Sequence, residues 1–354
     1  MRGLAVVIMI QCHTFNSFTR LDLRDGGPYI FSQFVGGMAA PLFLFMAGMT
    51  LAFQMDSLER KHLHPLRRWI TSLRRAGYIM AIAMLFRLSN FIASLPNATL
   101  KDLLKVDILN CMAVAMALFS FVAMADFPGR ARYAALGALA VAALSPVMAN
   151  LPWQEAPVLL RDYLVPDTGG LRGRFPFFPC ASYVGFGLAA GTVVKRTAEE
   201  RFERLMQWSV LIGFGMTFVA QYLSNIPYSI YAKSEFWTNS PTLILIRVGI
   251  SLLIMSASYL WTEYCAALRW SWMEILGKNS LLVYWVHVML VYGTPLQPFK
   301  RKLGIFQALL MTLAVTGAMV VLSWTWMWWK AKRAQKWKSS TTVASGGLGP
   351  VGVG

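Results

Sequence analysis

Residues 304–329 read GIFQALLMTLAVTGAMVVLSWTWMWW, and the nine that follow, KAKRAQKWK, carry five cations. An uncharged run of this length exceeds the roughly 20 residues that a helix needs to cross about 30 Å of hydrocarbon, and Trp with Lys at its end are residues that settle at a membrane surface. Working outward from it, apolar runs bounded by charge clusters and Pro/Gly turns recur along the chain. Ten are expected to be spans: 3–18, 29–54, 76–95, 107–126, 132–149, 176–194, 205–224, 241–262, 272–293 and 304–329. The composition agrees, with 56% hydrophobic and only 14% charged residues in 354, where a soluble domain carries about a quarter. The predicted fold is all-α: a polytopic integral membrane helical bundle of about ten transmembrane helices. One transmembrane domain is expected over 1–338, with a disordered tail over 339–354, a Ser, Thr, Gly and Val stretch without helical period.

The chain carries 33 Lys and Arg against 16 Asp and Glu, a formal +17, which in a soluble protein would raise nucleic acid as a partner. Ten crossings put both ends on one side, and 19 of the 33 cations then fall in the set of loops that contains both termini, against 11 in the other set. The positive-inside bias makes that side cytoplasmic, so the expected location is the plasma (inner) membrane, multi-pass, and nucleic acid is dropped as a partner. The longest outer segment, about 150–175, has the polarity of a lid or substrate mouth. Cys12, Cys111, Cys180 and Cys265 show no CxxC spacing and read as small core residues, without a disulfide framework or metal site.

Polar residues inside the spans each need a partner or a water-filled site, because an ionisable group at mid-bilayer costs at least about 2.5 kcal/mol on insertion scales. Arg2 and His13 are eleven residues apart, 20° from the same helical face, with His13 about 16 Å along the axis. Lys278, Asn279, Ser280, Tyr284 and His287 interrupt the ninth span, and the topology puts His287 and His13 at similar depth. Arg87 with Asn90, Asp107 with Asn110, and Arg247 add polar points elsewhere. His62 and His64 read as a solvated loop, and GFGLAAG, with Gly185, Gly187 and Gly191, as close helix packing and not a nucleotide loop. No Walker loop, HExxH or nucleophile elbow appears, which leaves His as the group able to take a proton near neutral pH.

Several of these stretches resemble a known family. Arg2-Gly3-Leu4 through His13 fits the R-x10-H pattern of membrane acyltransferases of the acyltransferase type three family. Pro41-Leu42-Phe43-Leu44-Phe45-Met46-Ala47-Gly48 is similar to a second-span signature of heparan-alpha-glucosaminide N-acetyltransferase and its bacterial relatives. Gly277-Lys278-Asn279-Ser280-Leu281-Leu282-Val283-Tyr284-Trp285-Val286-His287 resembles a stretch near that family's C-terminal end, and Arg174 to Pro179 also resembles the bacterial members.

The resemblance implies a ten- or eleven-span fold that takes an acyl group, usually acetyl, from cytoplasmic acyl-CoA and delivers it to a hydroxyl or amine on the outer side, commonly of a sugar. The position matching His13 in the eukaryotic enzyme looks to be Asn, and its catalytic His falls where this chain has Arg20 to Asp25. That His is not carried over, and His13 takes the general-base role, with Asn279 and His287 as orienting or secondary groups. Arg2, Arg74, Arg75 and Lys278 are expected to bind the acyl-CoA, whose phosphates suit a basic face. Asp22, Asp25, Arg174, Asp107 and Asn110 are expected to bind the acceptor. Acetyl-CoA or another acyl-CoA is the donor and no metal is expected. The partners are the bilayer, an extracytoplasmic glycan or other small acceptor, and a second copy in a homodimer. A proton-coupled transporter, with the histidines relaying protons and Arg87 and Arg247 holding an anion, is the alternative of another class.

Overall fold

The computed structural model describes residues 1–95, 99–165, 175–265 and 271–345, with side chains left undescribed at 101, 154, 158, 159, 265 and 336–345. The described residues are helical, without a named strand: α1 (Arg2–Phe18), α2 (Gly27–Gly36), α3 (Ala39–Arg60), α4 (Pro65–Ala93), α5 (Leu100–Leu103), α6 (Ile108–Phe119), α7 (Gly129–Ala149), α8 (Val158–Leu164), α9 (Phe177–Arg196), α10 (Phe202–Ser224), α11 (Pro241–Cys265), α12 (Trp272–Lys278), α13 (Ser280–Tyr292) and α14 (Ile305–Ser345). Each of the ten expected segments is helical. Six helices or joined pairs are long and apolar enough to cross a membrane, or seven if the bent pair α12–α13 counts as one span. The expected number of ten crossings is therefore not reached by length and composition. For α1, with 17 residues, α6, with 12, and α13, with 13 or about 20 Å of rise against about 30 Å of hydrocarbon, the reason is length, whereas α10, with 23 residues, is long enough but not among the sufficiently apolar helices.

The chain divides into two compact units: Phe34–Arg269 with Met1, and Arg2–Gln33 with Trp270–Gly354. In the first unit, α3 packs along α9 and α9 along α7, while α4 lies on α6 and α10 on α11. The α3–α9 seam depends on glycine. A Cβ at Gly187 would overlap the backbone of Phe45, one at Gly48 the backbone of Val184 and Leu188, and one at Gly191 would come within 2.6 Å of Met49 Cα. The two backbones approach so closely that only hydrogen fits, the small-residue packing expected for GFGLAAG.

One end of this unit holds an ionic cluster. Arg196 bonds Asp56 at 2.5 Å and Glu59 at 2.8 Å, fully buried Arg130 also pairs with Glu59, and Arg68 pairs with Asp126 at 2.9 Å. Asp56 also pairs with Arg60, four apart on the same helix, and that pairing alone is visible in the sequence. The others join α3, α4, α7 and α9.

The second unit is organised around α1, which packs on α12, α13 and α14. Gly3 lies so close to Met273 that a Cβ would overlap its carbonyl, and a Cβ at Gly277 would come 3.0 Å from the Gly3 nitrogen. At the other end of α1, Arg20 N–H donates to Leu303 O at 3.0 Å and Leu303 N–H to Phe18 O at 2.9 Å, fastening the start of α14 to the end of α1. The run expected as one span over 272–293 is bent by 89° between α12 and α13. Asn279 stands at the bend, and both its backbone N–H and its side-chain amide donate to Ile275 O, which closes the end of α12. α14 continues past the expected start of the tail at Ser339 as far as Ser345, so its 41 residues rise about 60 Å. Lys330, Lys332 and Arg333 lie over Trp326, Trp328 and Trp329, the aromatic and cationic pairing of a membrane surface.

Gly187→Val should drive α3 and α9 apart and lower the melting temperature in detergent by the equivalent of about 1–3 kcal/mol or more. Gly77→Ala, at a position with open space, should leave it unchanged or slightly raised. Equal melting of Gly187→Val and the parent protein would show that the seam is not tightly packed.

Candidate functional site

His13 of α1 and His287 of α13 meet in the second unit. His13 Nδ1 lies 2.9 Å from His287 Nε2, and the rings stack at 5.1 Å with 12° between their planes. His287 is fully buried and its Nδ1 bonds the Val283 carbonyl oxygen at 2.6 Å, one turn back on the same helix. Tyr292 stands edge-on to His13 at 5.3 Å and Tyr284 edge-on to His287 at 6.0 Å. Around the pair, the hydroxyls of Thr14 and Thr312 bond at 2.6 Å and Ser17 donates to Val291 O, so α1 is pinned to α13 and α14 on either side of the histidines. Imidazoles held in an apolar bundle can exchange a proton with a bound group while excluding water.

Other expected site residues of this unit lie at the two ends of α1. Arg2 is exposed at its start, where the Gly3–Gly277 contact brings in Lys278. Lys278 forms an exposed pair with Glu274 at 2.6 Å. Asp22 and Asp25 are exposed just beyond the other end, and Asp22 pairs with Arg20 at 2.5 Å. The hydrogen bond from Arg20 holds the Asp22 carboxyl below the usual carboxylate range, so it stays anionic at neutral pH. Asn279 sits at the bend with its amide turned to Ile275 O, so the bond it makes shapes the break.

The remaining expected residues belong to the first unit. Asp107 pairs with Arg87 at 2.5 Å, and its backbone N–H donates to Asn110 Oδ1 at 3.2 Å. Buried Asn110 donates to the Tyr163 hydroxyl at 3.2 Å. Tyr163 also lines an open apolar groove of about 520 Å³ with Met84, Leu104, Pro157 and Leu160. Arg75 binds the carbonyl and hydroxyl of Thr50 and the amide oxygen of Gln54, which ties α4 to α3, while Arg74 is exposed. Arg174 lies outside the described residues. His64 caps α4 by accepting from Leu66 N–H. Among the described residues no group of three or more His, Cys, Asp or Glu is placed to hold a metal ion.

Sequence reading pairs the two histidines by depth but misses Tyr292 and the Val283 carbonyl. An aromatic near the end of an apolar helix gives no signal of its own, and a backbone carbonyl gives none in any sequence. The family model for heparan-alpha-glucosaminide N-acetyltransferase, catalytic, matches residues 1–227, more than half of the chain. The chain belongs to that family. A search of curated proteins gives no match. Membership of the heparan-alpha-glucosaminide N-acetyltransferase family makes this a membrane protein of acetyltransferase type, in agreement with its apolar helices. The match contains His13, Arg87, Asp107 and the α3–α9 seam, and ends before the segment that carries His287.

Arg87 and Asp107 are both largely shielded, with 14% and 21% of their side chains exposed. Asp107→Leu should strand the guanidinium and cost about 3 kcal/mol of stability, whereas the double variant Arg87→Met/Asp107→Leu should recover most of it. Chemical denaturation of the single and double variants measures this. Additive losses would mean that the two side chains do not act as a pair.

Proposed function

We propose that this protein transfers an acetyl group from acetyl-CoA, bound from the cytoplasmic side, to a hydroxyl or amine of an extracytoplasmic sugar or glycan. His13 is the general base. The observation that carries this reading is the pair of half-buried His13 bonded to buried His287 between helices, in a chain whose family is one of acetyltransferases. The two ends of α1 support the direction of transfer. Arg2 and Lys278 offer cationic groups to the phosphates of CoA at one end, and the exposed Glu274 contributes little to holding Lys278 away from them. Asp22 and Asp25 offer carboxylates to hydroxyl or ammonium groups of an acceptor at the other end. His13 lies between, about 16 Å from Arg2 along the helix. With both termini cytoplasmic, the first end faces the donor pool and the second faces outward.

In the reaction, the acceptor's O–H or N–H proton passes to His13 as the oxygen or nitrogen lone pair bonds to the acetyl carbon. The carbon–sulfur bond then breaks, and the leaving sulfur takes the proton from His13 to give CoA-SH. A base held in place contributes about 10²–10⁴-fold to such a step. The proton-coupled transporter relies on Arg87 and Arg247 to hold an anion, and Arg87 of the two is paired with Asp107.

Purified protein in lipid nanodiscs should release CoA from acetyl-CoA when glucosamine is added, and His13→Ala should lower kcat about 10²–10⁴-fold. In sealed proteoliposomes, acetylated sugar should form on the side opposite the donor. Turnover unchanged in His13→Ala would remove the base, and glucosamine accumulating unmodified with a pH gradient would replace the enzyme by a transporter.

A further inference from the structure

The contacts of His287 decide which nitrogen of His13 is basic. A neutral imidazole has one N–H and one lone pair, and the partners of its nitrogens decide which is which. His287 Nδ1 lies 2.6 Å from the Val283 carbonyl oxygen, which can only accept. Nδ1 therefore carries the proton of His287 and Nε2 its lone pair. The side chain is fully buried, and the groups it bonds, backbone carbonyls and an imidazole, carry no charge to balance an imidazolium. The 2.9 Å contact between the rings is then donated by His13 Nδ1. With its proton on Nδ1, His13 has its lone pair on Nε2.

We propose that His287 is a positioning residue that holds His13 in the Nδ1–H tautomer, so that Nε2 of His13 is the atom that takes the acceptor's proton. This rests on the acyl-transfer reading above for its role, but the ring assignment follows from the contacts alone. Val283 and His287 are four apart on α13, so the first bond is set by the helix itself. The stacked rings and the edge-on Tyr292 limit rotation of His13. When Nε2 gains a proton, the Nδ1–H bond to His287 becomes charge-assisted, which makes it about twice as strong as the neutral bond. His287 thus favours the protonated form of His13 without accepting the proton, and the step needs no transfer between the rings.

The chain has four histidines, so its ¹⁵N imidazole spectrum is simple enough to assign by single substitutions. Protein labelled with ¹⁵N-histidine in neutral-lipid nanodiscs should show, near pH 7.5, both His13 and His287 protonated on Nδ1 and unprotonated on Nε2. In His287→Leu the His13 signal should shift toward the Nε2–H form. kcat should fall about 10²-fold while KM for acetyl-CoA changes by less than about twofold. His287→Gln, whose amide oxygen can accept from Nδ1–H, should recover most of the rate and of the Nδ1–H signal. His13 protonated on Nε2 in the parent protein overturns the proposal, as does a His13 tautomer unaffected by His287→Leu. The parent spectrum involves no substitution, so misfolding of a variant does not shield the proposal. If the parent spectrum is as expected but no acetyl transfer occurs, the acyl-transfer reading fails and the ring assignment stands.

Discussion

A polar side chain inside an apolar bundle cannot turn to water, so it must be satisfied by another part of the chain. That constraint organises both units. In one, His13 finds His287, Thr14 finds Thr312 and Ser17 finds Val291 O. In the other, Arg87 finds Asp107, Asn110 finds Tyr163, and Ser256 donates to Met206 O across α10 and α11. Apolar contact alone would let these helices slide past one another, since lipid tails are as apolar as Leu. The polar pairs and the glycine seams add what apolar contact lacks, a single register for each helix.

The same constraint explains how much of the structure is legible in the sequence. Apolar runs and their flanking cations locate ten segments that are helical, because hydrophobic length is a property of the chain itself. The R-x10-H spacing of α1 and the motif ending at His287 mark two residues that lipid alone would not tolerate. Their pairing could be expected from depth, but not its geometry, since ring orientation depends on how α13 is rotated after the bend at Asn279. The bend is itself hard to read: Lys278-Asn279-Ser280 resembles a polar interruption in one span, whereas in the structure Asn279 closes α12 on Ile275 O and the chain turns by 89°. The cluster of Asp56, Glu59, Arg68, Arg130 and Arg196 is less legible still. Its cations look like ordinary loop charges when counted along the chain, and it becomes a network only when four helix ends converge.

The histidine site combines two kinds of order. Its local part, the Val283–His287 bond, is present whenever α13 is helical. Its long-range part, the bond to His13, requires α1 in one register, which Thr14, Ser17 and the Gly3–Met273 contact each help to fix. A loss in any of these contacts would be felt at the imidazoles without touching them. The side chains of Asp22 and Arg20, by contrast, are exposed and bond each other, so changes in those side chains should leave the ring geometry intact.

The fastening of α1 to the far end of the chain has a consequence for biosynthesis. His13 leaves the ribosome 274 residues before His287, and the residues that bond Thr14, Ser17 and Arg20 follow at comparable distances. At roughly 5–20 residues per second, α1 waits about 14–55 s before its partners exist. Throughout that interval a helix with His, Thr, Asn and Ser on its surface must be held at the membrane by something other than its final neighbours. A helix made before all of these partners is thus completed only after the last of them.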